Sequence, residues 1–258
     1  MSRIVPPLFA GLALLVACSS QPAAAPSYTD RETQIGLQVR RELQQRGEIE
    51  AASPHYAALR RIAARMAPLA GKLYGRPFRF HIVREKVPNA FAVPGGDVYV
   101  TEPMFSFAHS QEELGGVLCH EVSHDIHHDV VNNMQKDRAV VAGASVLAAL
   151  FGHGRDRIVN IVIGAAAAET ELHFSRTVET NADLTGSDVC AQSGINPYGM
   201  IWLFQRFAAD AELRRPPEFL SDHPNDGHRI RNLLRHFRRH PELFARYSSD
   251  SKNATPLK

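Results

Sequence analysis

The segment Leu118-Cys119-His120-Glu121-Val122-Ser123-His124-Asp125 contains two histidines four residues apart, with a glutamate directly after the first. On an α-helix this spacing puts His120 and His124 one turn apart on the same face, so that their imidazoles can converge on one metal ion. Glu121 lies about 100° round the helix from His120, where its carboxylate can take a proton from water held beside the ion. A helix is predicted here because Ser110-Gln111-Glu112-Glu113 reads as a capping box, with Ser110 as N-cap and Glu113 reaching back. Leu114, Val117, Leu118 and Val122 supply its apolar stripe, and the two histidines point elsewhere.

Two histidines make half of a catalytic zinc site, which needs a third protein ligand and one open position. The downstream candidate is Ser175-Arg176-Thr177-Val178-Glu179-Thr180-Asn181-Ala182-Asp183, where Glu179 and Asp183 are again one helical turn apart. One carboxylate could bind the metal while the other receives a ring N–H of a ligating histidine. Such a pair is also common on solvated helices, and spacing alone does not decide between the two readings. His127 and His128 invite attention as extra ligands. They read as helix-end histidines, because filling the open position would silence catalysis.

Taken in order, HEVSH at 120–124, SRTVETNAD at 175–183, and Asp222-His223-Pro224 followed by Arg229 resemble the pattern HExxH, SRxxExEAD, HPxxxxR of the gluzincin metallopeptidases of family M48. Asn89-Ala90-Phe91-Ala92-Val93-Pro94-Gly95-Gly96 also resembles the family's segment ahead of the catalytic helix, so the likeness runs from about Thr29 to Phe237. Ser123 and Asn181 depart from the pattern at positions that hold no ligand. The resemblance implies a zincin metalloprotease domain, mainly α with a small β-sheet (α+β), holding one zinc ion per chain through His120, His124 and Glu179. It further implies Glu121 as catalytic base and then acid, and Asp183 as the group orienting a ligating histidine. His223 would stabilise the substrate oxyanion or act as an inhibitory ligand, and Arg229 would prop this segment or pair with a carboxylate. Asn89, Ala90, Phe91 and Ala92 would form a substrate-edge strand offering main-chain hydrogen bonds.

The other elements follow from periodicity. Ile35, Val39 and Leu43 form the stripe of one helix, and a second is predicted from Ser53 with Pro54 in its first turn. Pro77 to Val83 alternates as a half-buried strand. Ala90–Val93 and Val98–Thr101 form a hairpin around Pro94-Gly95-Gly96-Asp97. Ala139–Phe151 and Ile158–Ala168 are apolar but shorter than the ~20 residues that span a bilayer. They either cover the cleft or dip into the membrane surface.

Residues 1–17 read as a signal peptide ending in Leu15-Val16-Ala17-Cys18, which resembles the bacterial lipobox with Cys18 as the lipidated residue. Residues 18–28 then form a flexible tether, 29–247 the metallopeptidase domain, and 248–258 a polar, disordered tail. The 258 residues carry a formal net charge of +2, with no basic excess that would imply nucleic acid. Cys119 and Cys190 either bridge or stay as small buried residues. The reading that results is a lipoprotein without tetratricopeptide repeats, anchored by its lipid at the outer membrane and facing the periplasm. It would be a zinc endopeptidase acting on unfolded or misassembled envelope proteins, in contact with outer-membrane assembly machinery. The alternative is a membrane-tethered periplasmic chaperone or assembly scaffold whose zinc site is structural or latent.

Overall fold

The computed structural model describes residues 28–136, 174–209 and 227–257, so that Cys18, the apolar runs within 139–168 and His223 lie outside the described residues. In chain order the helices are α1 (Tyr28–Gln45), α2 (Tyr56–Tyr74), α3 (Glu102–Phe107), α4 (Gln111–Ile126), α5 (Asp129–Lys136), α6 (Arg176–Gln192), α7 (Tyr198–Ala209), α8 (Gly227–Arg239) and α9 (Pro241–Phe244). Between α2 and α3 lie β1 (Arg79–Val83), β2 (Ala90–Val93) and β3 (Asp97–Thr101). The mainly helical class with one small sheet is the one anticipated.

The strands form a sheet of order β1-β3-β2, with β1 parallel and β2 antiparallel to β3. Strand alternation sends Ala90, Ala92, Val98, Val100 and Ile82 to the main core, and Phe91, Val93, Tyr99 and Val83 to a second one beneath Val39 and Leu43 of α1. Both faces are therefore covered. The half-buried strand expected within Pro77 to Val83 is β1, whose first three residues are only partly buried, whereas β2 and β3 are buried throughout because the α1 stripe closes their second face. The hairpin turn uses Gly95 and Gly96 at φ +106° and +87°, a region that L side chains resist. Gly96 N–H donates to Asp125 Oδ2 at 3.2 Å, which moors the hairpin to α4.

Asp97, at the start of β3, is buried and meets Arg79 Nε and His81 Nε2 at 2.8 Å each and Arg40 Nη2 at 3.2 Å. Burial pushes its carboxyl upward, but hydrogen bonds and charge from His81 and Arg79 outweigh that and hold it below the usual 3.8. Because the folded-state value is the lower one, this stabilisation is complete above 3.8 and is lost as pH falls through the depressed value. Asp97→Asn is expected to cost about 1.5–3 kcal/mol at pH 7 and to flatten the acid limb of stability, as read from urea unfolding between pH 7 and 3.

Helix α4 is the centre of the molecule, buried from Glu113 to Asp125 and packed on α2, α6, α7 and β2. It is thus covered all round, which exceeds the one-sided stripe read from its sequence. Its predicted start is confirmed: Ser110 Oγ accepts from Glu113 N at 3.1 Å, and Glu113 Oε2 reaches back to His109 N at 2.5 Å. Against it, α6 approaches closely at Gly186, where an added Cβ would stand 2.9 Å from the Cys119 carbonyl oxygen and 3.0 Å from His120 N. A side chain there would push α6 off the ligand helix. The same two helices are joined by a Cys119–Cys190 disulfide, with Cα atoms 5.8 Å apart. Closing a loop of 71 residues contributes about 4 kcal/mol in the chain-entropy account.

Two expectations are corrected. The second helix begins at Tyr56, since Ser53 Oγ accepts from His55 N and caps an earlier turn. Residues 248–257, expected as a disordered tail, instead form an ordered strap with a 3₁₀ turn at Ser251–Asn253. Their polar composition suggested disorder, but their backbone is satisfied tertiarily. Trp202 Nε1 donates to Ser249 O, and Gln111 N, an otherwise unpaired donor at the start of α4, donates to Thr255 O, both at 2.9 Å.

Candidate metal centre

Helical spacing sets His120 and His124 side by side on α4, with their Nε2 atoms 3.1 Å apart. The close approach at Gly186 then brings the first turns of α6 alongside. Glu179 Oε2 lies 3.5 Å from His120 Nε2, and Glu179 Oε1 lies 3.6 Å from His124 Nε2. One ligand atom from each of these three buried residues falls within 4.8 Å of the others.

The outer ring nitrogens are also matched. Asp183 Oδ1 stands 3.0 Å from His120 Nδ1, and Asp129 Oδ2 stands 2.8 Å from His124 Nδ1. A carboxylate against Nδ1 keeps the proton there and turns the Nε2 lone pair toward the shared point. Asp183 was anticipated in this place and Asp129 was not. The signal for Asp129 was an acid just past the end of the ligand helix, and its direction is set by His128, which adopts φ +56° and holds Glu32 Oε1 at 2.6 Å through Nδ1. That left-handed residue turns the chain so that α5 starts with Asp129 facing back toward His124. The ring of His124 also stacks on Phe174, centroids 4.5 Å apart.

Arg229, from the first turn of α8, is buried and forks onto Asp183 at 2.8 and 2.7 Å, while its Nη1 reaches Glu179 Oε2 at 3.1 Å. Its guanidinium lies 4.4 Å from the Phe204 ring centroid. Of the two readings for this residue, pairing with a carboxylate is the one the structure displays, and it pairs with two. His127 points away from the centre, its Nε2 2.9 Å from Thr185 Oγ1, and burial lowers its pKa.

Glu121 Oε2 accepts the N–H of Ala92 at 3.0 Å, so the glutamate of the motif is tied to β2. The expected substrate edge differs in one respect. β2 is the edge strand of the sheet, but all four of its residues are buried. The N–H groups of Ala90 and Ala92 donate to Asn89 Oδ1 and Glu121. Beside Glu179, a cavity of about 360 Å³ opens between the first turns of α6 and α8, with Arg176, Asn181 and His228 on its wall.

The donor set fits zinc. Two imidazoles and a carboxylate are among its usual catalytic ligands, and among the described residues Asp129, Glu179 and Asp183 line the imidazoles while Arg229 pairs with the last two, an acidic surrounding that favours a divalent cation. The family model described as Peptidase family M48 matches residues 55–236, well over half the chain. The chain belongs to peptidase family M48. M48 peptidases are metallopeptidases of zincin-like fold that use zinc, in accord with the three converging side chains. Among curated relatives, the mitochondrial metalloendopeptidase OMA1 of Schizosaccharomyces pombe is 30% identical over 160 residues, covering 60% of this chain and 45% of that protein. A putative beta-barrel assembly-enhancing protease of Vibrio cholerae is 28% identical over 175 residues, covering 65% and 36%. The metalloprotease LoiP of Escherichia coli is 25% identical over 222 residues, covering 83% and 85%. The chain thus spans less than half the length of the first two M48 relatives and most of the third.

Proposed function

We propose that this chain is a zinc-dependent endopeptidase of the bacterial cell envelope that cleaves unfolded or misassembled proteins, outer-membrane proteins among them. The observation that carries this reading is the convergence of His120, His124 and Glu179 beside Glu121. When bound, zinc supplies positive charge that lets water react at neutral pH and polarises a peptide carbonyl. Asp183 and Asp129 hold the two imidazoles in the tautomer that presents Nε2, and Arg229 fixes the carboxylate of Glu179. Glu121, steadied by the Ala92 N–H, takes the proton of the attacking water and delivers it to the departing amine. His223 is assigned to the oxyanion by its place in the motif. As the edge strand nearest Glu121, β2 is read as the side along which substrate backbone lies, offering carbonyl oxygens to substrate N–H groups.

The envelope setting and client class rest on relatives named for beta-barrel assembly and on the N-terminal pattern that marks Cys18 for lipid attachment. A Cys119–Cys190 disulfide suits a compartment that permits such bonds. The full chain is expected to cleave casein and a urea-unfolded β-barrel protein, to stop in a chelator and to recover with one equivalent of zinc. Cleavage that persists after complete chelation would overturn the reading. Client maturation that survives loss of cleavage would favour the scaffold alternative.

A further inference from the structure

Helix α8 carries five arginines and no acidic residue over Gly227–Arg239, in a chain whose net charge is only +2, so the remainder is net negative. One of the five, Arg229, is spent on Asp183 and Glu179 inside the molecule. The other four, Arg231, Arg235, Arg238 and Arg239, are exposed. Their spacing of i, i+4, i+7 and i+8 places them within an arc of about 100° along one side of the helix. The opposite side, with Leu233 and Phe237, is buried in the main core.

Among the described residues these four charges have no acidic partner. Arg231 Nη2 meets His228 Nδ1 and Arg235 Nη1 donates to Asn232 Oδ1, both contacts within the same helix and neither to a carboxylate. Arg238 and Arg239 have no hydrogen-bond or ion-pair partner among the described residues. Elsewhere, three exposed arginines have partners, Arg65 and Arg246 on the carbonyls of Gly194 and Ala191 at the end of α6 and Arg84 on Glu50, while Arg41 and Arg61 stand singly and form no stripe. The pairs 231/235 and 235/239 are like charges at one-turn spacing, which repel. The helix dipole offsets this near the C-terminal end but not at Arg231, which sits toward the N-terminal half.

We infer that the outer face of α8 docks electrostatically on an anionic phospholipid surface. The stripe is a row of exposed guanidiniums spread over about two turns of one helix, which suits a broad, flat array of phosphates better than a small anion that needs a cradle. Its apolar side is used in the core, so the contact is one of charge and not of insertion. Arg229 at the N-terminal end of the same helix holds Glu179, so docking this face sets the metal centre close above the membrane.

The test is vesicle flotation of the full chain carrying Cys18→Ser, which removes the expected lipid attachment point. Phosphatidylcholine vesicles are compared with vesicles in which three lipids in ten are phosphatidylglycerol. Binding is expected to rise at least ~tenfold with the anionic lipid at 50 mM salt and to lose that increment at 500 mM. The combined variant R231Q/R235Q/R238Q/R239Q should lose the increment while keeping zinc content, casein cleavage and circular dichroism, and the fourfold lysine variant should retain it. Equal binding to both vesicles, or an increment undiminished in the glutamine variant, would overturn the inference. So would polyglutamate binding the stripe more tightly than the anionic vesicles, which would point to an acidic protein partner.

Discussion

Glu121→Gln is expected to lower casein cleavage by about 10²–10⁴-fold while leaving zinc content and thermal stability near wild type. The amide keeps the size of the side chain and can still accept the Ala92 N–H that Glu121 Oε2 receives at 3.0 Å, so β2 stays moored to α4. It cannot take a proton. Glu121 is not among the three residues whose ligand atoms converge, and the metal should therefore remain. Steady-state cleavage with zinc determination on the same sample separates loss of a base from loss of a ligand. Unchanged turnover would show that another group performs the proton transfer.

A second large effect is expected at Arg229, this time on stability. Its buried guanidinium faces two buried carboxylates, Asp183 and Glu179. Arg229→Ala strips the counter-charge from both and leaves the Phe204 ring uncovered, which should cost about 3–5 kcal/mol in the metal-free protein. Arg229→Lys should recover little, because one ammonium cannot fork onto Asp183 and reach Glu179 at once. Bound zinc supplies positive charge to the same carboxylates, so the loss in urea unfolding should be larger in chelator than in saturating zinc. An equal loss in both conditions would mean that Arg229 acts through packing alone. By the same linkage Arg229→Ala should bind zinc more tightly than wild type, since a cation competing for Glu179 has been removed.

The elements of the centre differ in how far they could be read ahead of the structure. The pairing of His120 with His124 and the start of α4 at Ser110 are local facts of helical spacing and capping, and both stand as read. Glu179 and Asp183 were ambiguous from spacing, because whether α6 packs on α4 depends on Gly186 and on a disulfide spanning 71 residues. Only the family likeness pointed to them. Asp129 was missed because its direction depends on a left-handed His128, and a positive φ at a non-glycine leaves no pattern in a sequence. The strap at 248–257 was missed for a related reason: its partners are backbone groups at the start of α4 and an indole on α7. The burial of both sheet faces escaped notice because the α1 stripe could equally have covered another surface.

The measurement that bears most directly on the whole account is the zinc content of the purified full chain, set beside His120→Ala and Glu179→Ala after equal dialysis. One zinc per chain in the wild type, with essentially none in His120→Ala and a much weakened site in Glu179→Ala, is the predicted result. A wild-type chain without zinc, or variants that keep a full equivalent, would contradict it.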